Sequence, residues 1–158
     1  MNDIPKAKAL AFHRHRSSNN PSLKWLIKGL LPETGTGLLS GTSGAYKTFV
    51  AFDVSGAIAS APMFLGFKIK RPGATLIFAS EGKANIDARI DALSVAKYDD
   101  RPLPIYVSTA PVSLLNPDSV ADVIETAREV SIGVDREDNL PLCLLIFDTL
   151  AGHPRSPP

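Results

Sequence analysis

A single cysteine in 158 residues excludes a disulfide framework. Cys143 sits inside an apolar run and reads as a small buried hydrophobe in a chain suited to a reducing compartment. Neither sign of charge dominates. Seventeen Lys and Arg face 16 Asp and Glu, a formal +1, which offers no overall basic field for nucleic acid or an anionic membrane. No 18 uninterrupted apolar residues are present for a membrane span, and the start MNDIPKAKAL carries no apolar stretch long enough for a secretory signal. A cytoplasmic location with no membrane partner is the expectation.

What is present is the profile of one globular domain, 44% hydrophobic and 21% charged. The near-neutral total hides a gradient: residues 1–28 carry six cations against Asp3, and residues 116–139 seven acids against Arg128 and Arg136. Two solvated faces account for it better than an interaction arm. Residues 1–22, with the polar patch Ser17-Ser18-Asn19-Asn20-Pro21, read as a flexible leader, and residues 153–158 as a disordered tail. Trp25 to Pro32 is more apolar and is expected to pack on the domain.

From there the pattern becomes regular. Thr36 to Ser40 predicts a short strand and Gly41 to Ala45 a glycine-bearing turn. Lys47 to about Ser60 predicts a helix with Phe49, Val50, Val54, Ala57 and Ile58 on its apolar positions, closed by Pro62. Ala74 to Ala79 barely alternates, as expected of a strand covered on both faces. Ile86, Ile90 and Leu93 at helical spacing predict an amphipathic helix over 85–97, and Pro104 to Ser108 a third strand. Asn116 and Pro117 supply an N-cap and a first-turn proline for a helix to about Val130. Leu142 to Phe147 is the most apolar run and reads as a central strand. Alternating strands and helices favour an α/β fold with a mostly parallel sheet flanked by helices. Its ligand crevice lies outside the carboxyl ends of the strands.

The residues at those ends carry the chemistry. GTSGAYKT, from Gly41 to Thr48, nearly matches the phosphate-binding loop G-x-x-x-x-G-K-[ST]. Glycines let backbone N–H groups converge on phosphate oxygens, and the following helix adds unpaired N–H groups and a positive dipole end. Gly41, Thr42, Ser43, Gly44, Ala45, Tyr46, Lys47, Thr48 and Phe49 thus form the candidate ATP-binding segment, with Lys47 as the catalytic phosphate cation and Thr48 as a Mg²⁺ ligand. Tyr46 departs from the glycine of the pattern, so its side chain must point away from the phosphates or crowd them. The reduced pattern G-x₅-K-[ST] arises by chance roughly 0.1 times in a chain of this composition, so its partners matter. Asp148, closing the run from Leu142, suits a carboxylate that emerges beside the phosphates and holds Mg²⁺, usually through water. Glu81, just past the Ala74 strand, is placed to deprotonate an attacking water. Arg89 is expected to pair with a surface carboxylate, and His153 to have no role.

Together WLIKGLLP (Trp25 to Pro32), the loop followed by FVAFD (Phe49 to Asp53), GFKIKRPGATLIFASEG (Gly66 to Gly82) with Arg89, and LLIFDTLA (Leu144 to Ala151) resemble the RecA-type P-loop ATPase domain of RepA-like replicative helicases, a group often labelled AAA-family ATPases of phages, plasmids and bacteria. The resemblance covers about residues 23–152, read as a partial RecA-like domain. It implies ATP hydrolysis by Lys47, Thr48, Glu81 and Asp148 and, in complete members, assembly as a homo-hexamer, an arginine donated by the neighbouring subunit, and action on single-stranded DNA in DNA replication or mobile-element maintenance. In such domains a further strand inserts between the Asp148 strand and the phosphate-loop strand. The chain ends ten residues after Asp148, so a C-terminally incomplete fold is expected, with a nucleotide-binding remnant lacking turnover as the rival reading. A small-molecule kinase is disfavoured, because no second basic cluster follows the loop.

Overall fold

The computed structural model describes residues 23–79, 85–132 and 140–148. Three parallel strands form the sheet: β5 (Ala74–Ala79) lies in the middle, paired with β6 (Ile105–Ser108) on one side and β7 (Leu142–Asp148) on the other. Three helices flank it, α1 (Lys47–Ser60), α2 (Ile86–Lys97) and α3 (Pro117–Ile132). Two short antiparallel hairpins complete the described chain, β1 (Trp25–Ile27) with β2 (Leu31–Pro32) and β3 (Met63–Phe64) with β4 (Phe67–Lys68). The expected α/β architecture with a parallel sheet is therefore present.

The two-residue period of β5 divides its side chains between two layers. Ile77 and Ala79 pack with Phe52 of α1, Ile86 of α2 and the partly buried Ile90, Leu93, Ile105, Val107 and Ile146. Leu76 and Phe78 point the other way, onto Val123, Ala127 and Val130 of α3 with Tyr106 and Phe147. Phe78 and Phe147, partners in register, stack at 5.1 Å with nearly parallel planes. All six residues of β5 are buried. Each large aliphatic among them contributes roughly 1.5–3 kcal/mol over its exposed state. A third cluster joins Leu26 and Ile27 of β1, Val54, Ala57 and Ile58 of α1, Phe64 and Ile69 to the Cys143–Ile146 side of β7.

The helix ends follow their sequence cues. Asn116 Oδ1 accepts from the Asp118 N–H at 2.9 Å, the expected cap of α3. α1 stops at Ser60, where extended Ala61 donates its N–H to Ala57 O ahead of Pro62.

Four expectations need correction. Leu142–Phe147, expected to be a central strand, belongs to β7, which among the described residues pairs on one side alone, with β5; its residues are half-buried and its Leu145 is exposed. No strand pairing forms at Thr36 to Ser40 among the described residues. Strand structure needs a paired neighbour, no described strand lies along this segment, and Leu38 and Leu39 face solvent, Leu38 at 83% exposure. Phe49 and Val50 are not on the buried side of α1, which runs from Ala51 to Ile58, because the first turn projects beyond the core clusters. Arg89 pairs with no carboxylate among the described residues; its guanidinium lies over the Phe49 ring. The two hairpins were not anticipated. Their signals are local: Gly29 at φ +78° turns one, and Leu65 and Gly66 at φ +48° and +84° turn the other.

Candidate phosphate-binding site

The segment 41–48 leads into the N-terminus of α1, and local geometry accounts for its residue types. Gly44 has φ +78°, a conformation that glycine adopts without a steric cost. At Gly41 the requirement is space, since a Cβ there would come within 3.3 Å of Ala45 Cβ. The loop is closed by the Ala45 N–H donating to Thr42 O at 3.2 Å. Tyr46 also lies in the left-handed region, φ 55° and ψ 25°, while Ala45 between it and Gly44 does not. Such alternation turns successive N–H groups toward one side, the arrangement that makes anion-binding concavities.

The glycine normally preferred at position 46 is thus explained by backbone conformation, and tyrosine holds it at a cost of roughly 1–2 kcal/mol. Its ring does not fill the concavity. Tyr46 is 73% exposed, with its ring edge-on to Phe49 at 5.9 Å.

The α1 terminus is electrostatically suited to an anion. Its N-cap makes no side-chain hydrogen bond and its first turn holds no acid, whereas α2 begins with Asp87 and α3 with Asp118. No acid of the helix's own first turn therefore offsets the positive end of its dipole. Lys47 Nζ donates to Gly41 O at 3.0 Å and Thr42 O at 2.8 Å, which folds the ammonium back across the loop.

One contact joins this loop to a distant part of the chain. Thr48 Oγ1 donates to Asp148 Oδ2 at 2.6 Å, across 100 residues of sequence. The parallel pairing of β7 with β5 carries Asp148 to the same end of the sheet as Ala79, its partner in register. α1, packed on that sheet through Phe52, delivers Thr48 there. The two oxygens also fit Mg²⁺. Adjacent ligands of an octahedral ion with bonds of about 2.0–2.1 Å stand about 3 Å apart, so they need to separate by only about 0.4 Å. No cluster of three His, Cys, Asp or Glu occurs among the described residues. A donor set of one hydroxyl and one carboxylate suits an ion completed by phosphate and water oxygens rather than an all-protein cage.

Among the sequence-derived candidates, Gly41, Thr42, Ser43, Gly44, Ala45, Tyr46, Lys47, Thr48 and Phe49 are a consecutive segment of exposed or half-buried residues, and Asp148 meets it at Thr48. Glu81 lies outside the described residues, as do the leader 1–22 and the tail 153–158. Sequence reasoning missed the Arg89–Phe49 contact, 5.4 Å from guanidinium carbon to ring centroid; the two residues are on separate helices, and no local signal links them.

A cleft of about 290 Å³ between α1, α2 and the β3–β4 hairpin is lined by Asp53, Ala57, Met63, Phe64, Leu65, Lys97 and Tyr98 and includes none of the loop residues. Lys97 Nζ bridges both Asp53 oxygens there at 2.7 and 2.8 Å. Burial, and secondarily the Asp53 carboxylate, push the Tyr98 phenol above its ordinary value.

Compared with known families, residues 2–152 match the model described as AAA domain. No curated protein and no solved structure matches the chain.

Proposed function

The chain belongs to the AAA-domain family of P-loop ATPases, a nucleotide-binding family, and from that premise we propose that it binds ATP at the Gly41–Phe49 loop and hydrolyses it with Mg²⁺. The observation that carries this reading is the 2.6 Å contact between Thr48, the residue after Lys47, and Asp148. In this reading Lys47 exchanges its loop carbonyl partners for β- and γ-phosphate oxygens, while the loop and first-turn N–H groups hold the remaining phosphate oxygens. Thr48 and Asp148 are the residues that would hold the Mg²⁺, which would supply neutralisation of charge on the β- and γ-phosphates. Glu81, which follows β5 in sequence, takes the proton from the attacking water as the γ-phosphoryl group leaves ADP.

The finer context is also a proposal. The resemblance to RepA-like replicative helicases supports a RecA-like unit over residues 23–152, a homo-oligomer, single-stranded DNA as partner and a role in DNA replication or mobile-element maintenance. No helix among the described residues is long and apolar enough to cross a membrane, and the balanced charge and lone cysteine are compatible with the cytoplasm.

Thermal unfolding with and without MgATP tests the reading. At a nucleotide concentration one hundred times Kd, binding stabilises by about 2.7 kcal/mol, or about 5–10 °C for a domain of this size. Lys47→Ala is expected to abolish the shift; an unchanged shift in that variant refutes the assignment. Phosphate release is then measured on the wild type, and binding without release favours the non-hydrolysing alternative.

A further inference from the structure

The two hairpins join into one small sheet. The Ile27–Ile69 bridge links them, with the Lys28 N–H donating to Lys68 O at 2.9 Å and the Lys70 N–H donating to Leu26 O at 2.8 Å. On its other side, segment 67–70 is held by the β3–β4 pairing and by the Ile69 N–H donating to Pro62 O at 2.9 Å. Ile27 and Ile69 pack into the core with Phe64. The next side chains along each strand, Lys28, Lys68 and Lys70, therefore point outward, and all three are exposed. Lys28 stands directly opposite Lys68, with Lys70 about 6.5 Å further along the same face. Like charges placed opposite each other destabilise a sheet. No carboxylate among the described residues pairs with any of the three, and Glu33, the one acid of segments 24–33 and 62–71, is taken by Arg71. Lysines commonly guard an exposed sheet edge, but Lys68 and Lys70 lie on a segment with a neighbour on both sides. Lys24, exposed just before β1, has the same sign, as do Lys6, Lys8, Arg14 and Arg16 earlier in the sequence.

We propose that this lysine face binds the phosphate backbone of duplex nucleic acid. A duplex carries one charge per about 1.7 Å of its axis, against about 3.4 Å for one strand, so a compact group of ammoniums gains more from it. Single-strand sites add aromatic rings on which unpaired bases stack. The outward positions 28, 68 and 70 hold lysine alone, while Phe67 shares the inward pleat with Ile69. An anionic membrane is less suited for a related reason, since binding there scales with the apolar area inserted. Phosphate contacts carry no sequence information, so the binding is independent of base sequence. The face lies apart from the phosphate loop. Its small sheet packs on Val54, Ala57 and Ile58, roughly 10–16 Å along α1 from Lys47.

The test is fluorescence anisotropy of a labelled mixed-sequence duplex titrated with the full chain between about 50 and 200 mM salt. Combining Lys28→Gln, Lys68→Gln and Lys70→Gln removes three phosphate contacts. The slope of log affinity against log salt is then expected to fall by about 2.7, near 0.9 per contact, and affinity at about 0.1 M salt by on the order of 100-fold. Arg128→Gln, which removes a cation on α3, should change neither. Urea unfolding checks the triple variant, whose stability should be unchanged or higher because the Lys28–Lys68 repulsion is gone. If it does not fold, Lys70→Gln alone is read in its place, with a slope change of about 0.9. An unchanged slope in the folded variant overturns the proposal, and so does a wild type that leaves the duplex unbound at about 50 mM salt. Substitutions that spare the duplex but weaken binding to an oligothymidylate, or to phosphatidylserine vesicles, give the face to another partner and overturn it as well. No nucleotide enters the assay, so its outcome is separate from that of the ATP reading.

Discussion

The Thr48–Asp148 contact can be measured without any ligand. It is a hydroxyl donating to a carboxylate at 2.6 Å, partly buried, a geometry typical of a charge-assisted bond. Hydrogen bonds to charged groups contribute about 1.5–3 kcal/mol, and partial exposure places this one at the lower end, about 1–2 kcal/mol. Thr48→Ala, Asp148→Ala and the double variant form a cycle in which the propensity and packing effects of each substitution cancel and the pairwise part remains. Urea unfolding of the four proteins in magnesium-free buffer is expected to give a coupling of about 1–2 kcal/mol. Lost through either single variant, it corresponds to about 2–8 °C in melting temperature. Because 100 residues separate the partners, local structure alone cannot generate such coupling. Additivity within about 0.5 kcal/mol would refute the juxtaposition, and the shared metal site that depends on it.

Two further predictions follow from the core. Thr75, on the middle strand, is fully buried and its hydroxyl has no hydrogen-bond partner among the described residues; Thr75→Val removes that desolvated group and should raise stability by about 1 kcal/mol in urea unfolding, and a destabilised variant argues that the hydroxyl is satisfied. The Tyr98 phenol is raised above 10.0 in the folded chain, so the folded state holds its proton more tightly than the unfolded state. The associated stability is fully present below pH 10 and is lost as the pH climbs through the raised value. Tyr98→Phe should therefore flatten the alkaline fall in unfolding free energy, and an unchanged alkaline profile refutes the assignment.

The sequence alone determined the alternation of strands and helices, the glycine loop ahead of Lys47 and the cap of α3, because each depends on neighbours a few residues apart. The apolar run of β5, the helical spacing of Ile86, Ile90 and Leu93, and the Asn116-Pro117 start all appear where local pattern predicts them. Tertiary structure decided which of the described strands pairs on both sides, because burial of a strand depends on what pairs with its two edges, and Leu142–Phe147 is apolar whether it lies in the middle or at the side. It left Thr36 to Ser40 without strand pairing for the same reason: alternation describes a face, and only a neighbour supplies the hydrogen bonds. It also turned Tyr46 outward, set Arg89 over Phe49, and brought Thr48 to Asp148. These placements depend on the packing of α1 and α2 against the sheet and on strand register, which are relations between segments that no short window of sequence contains.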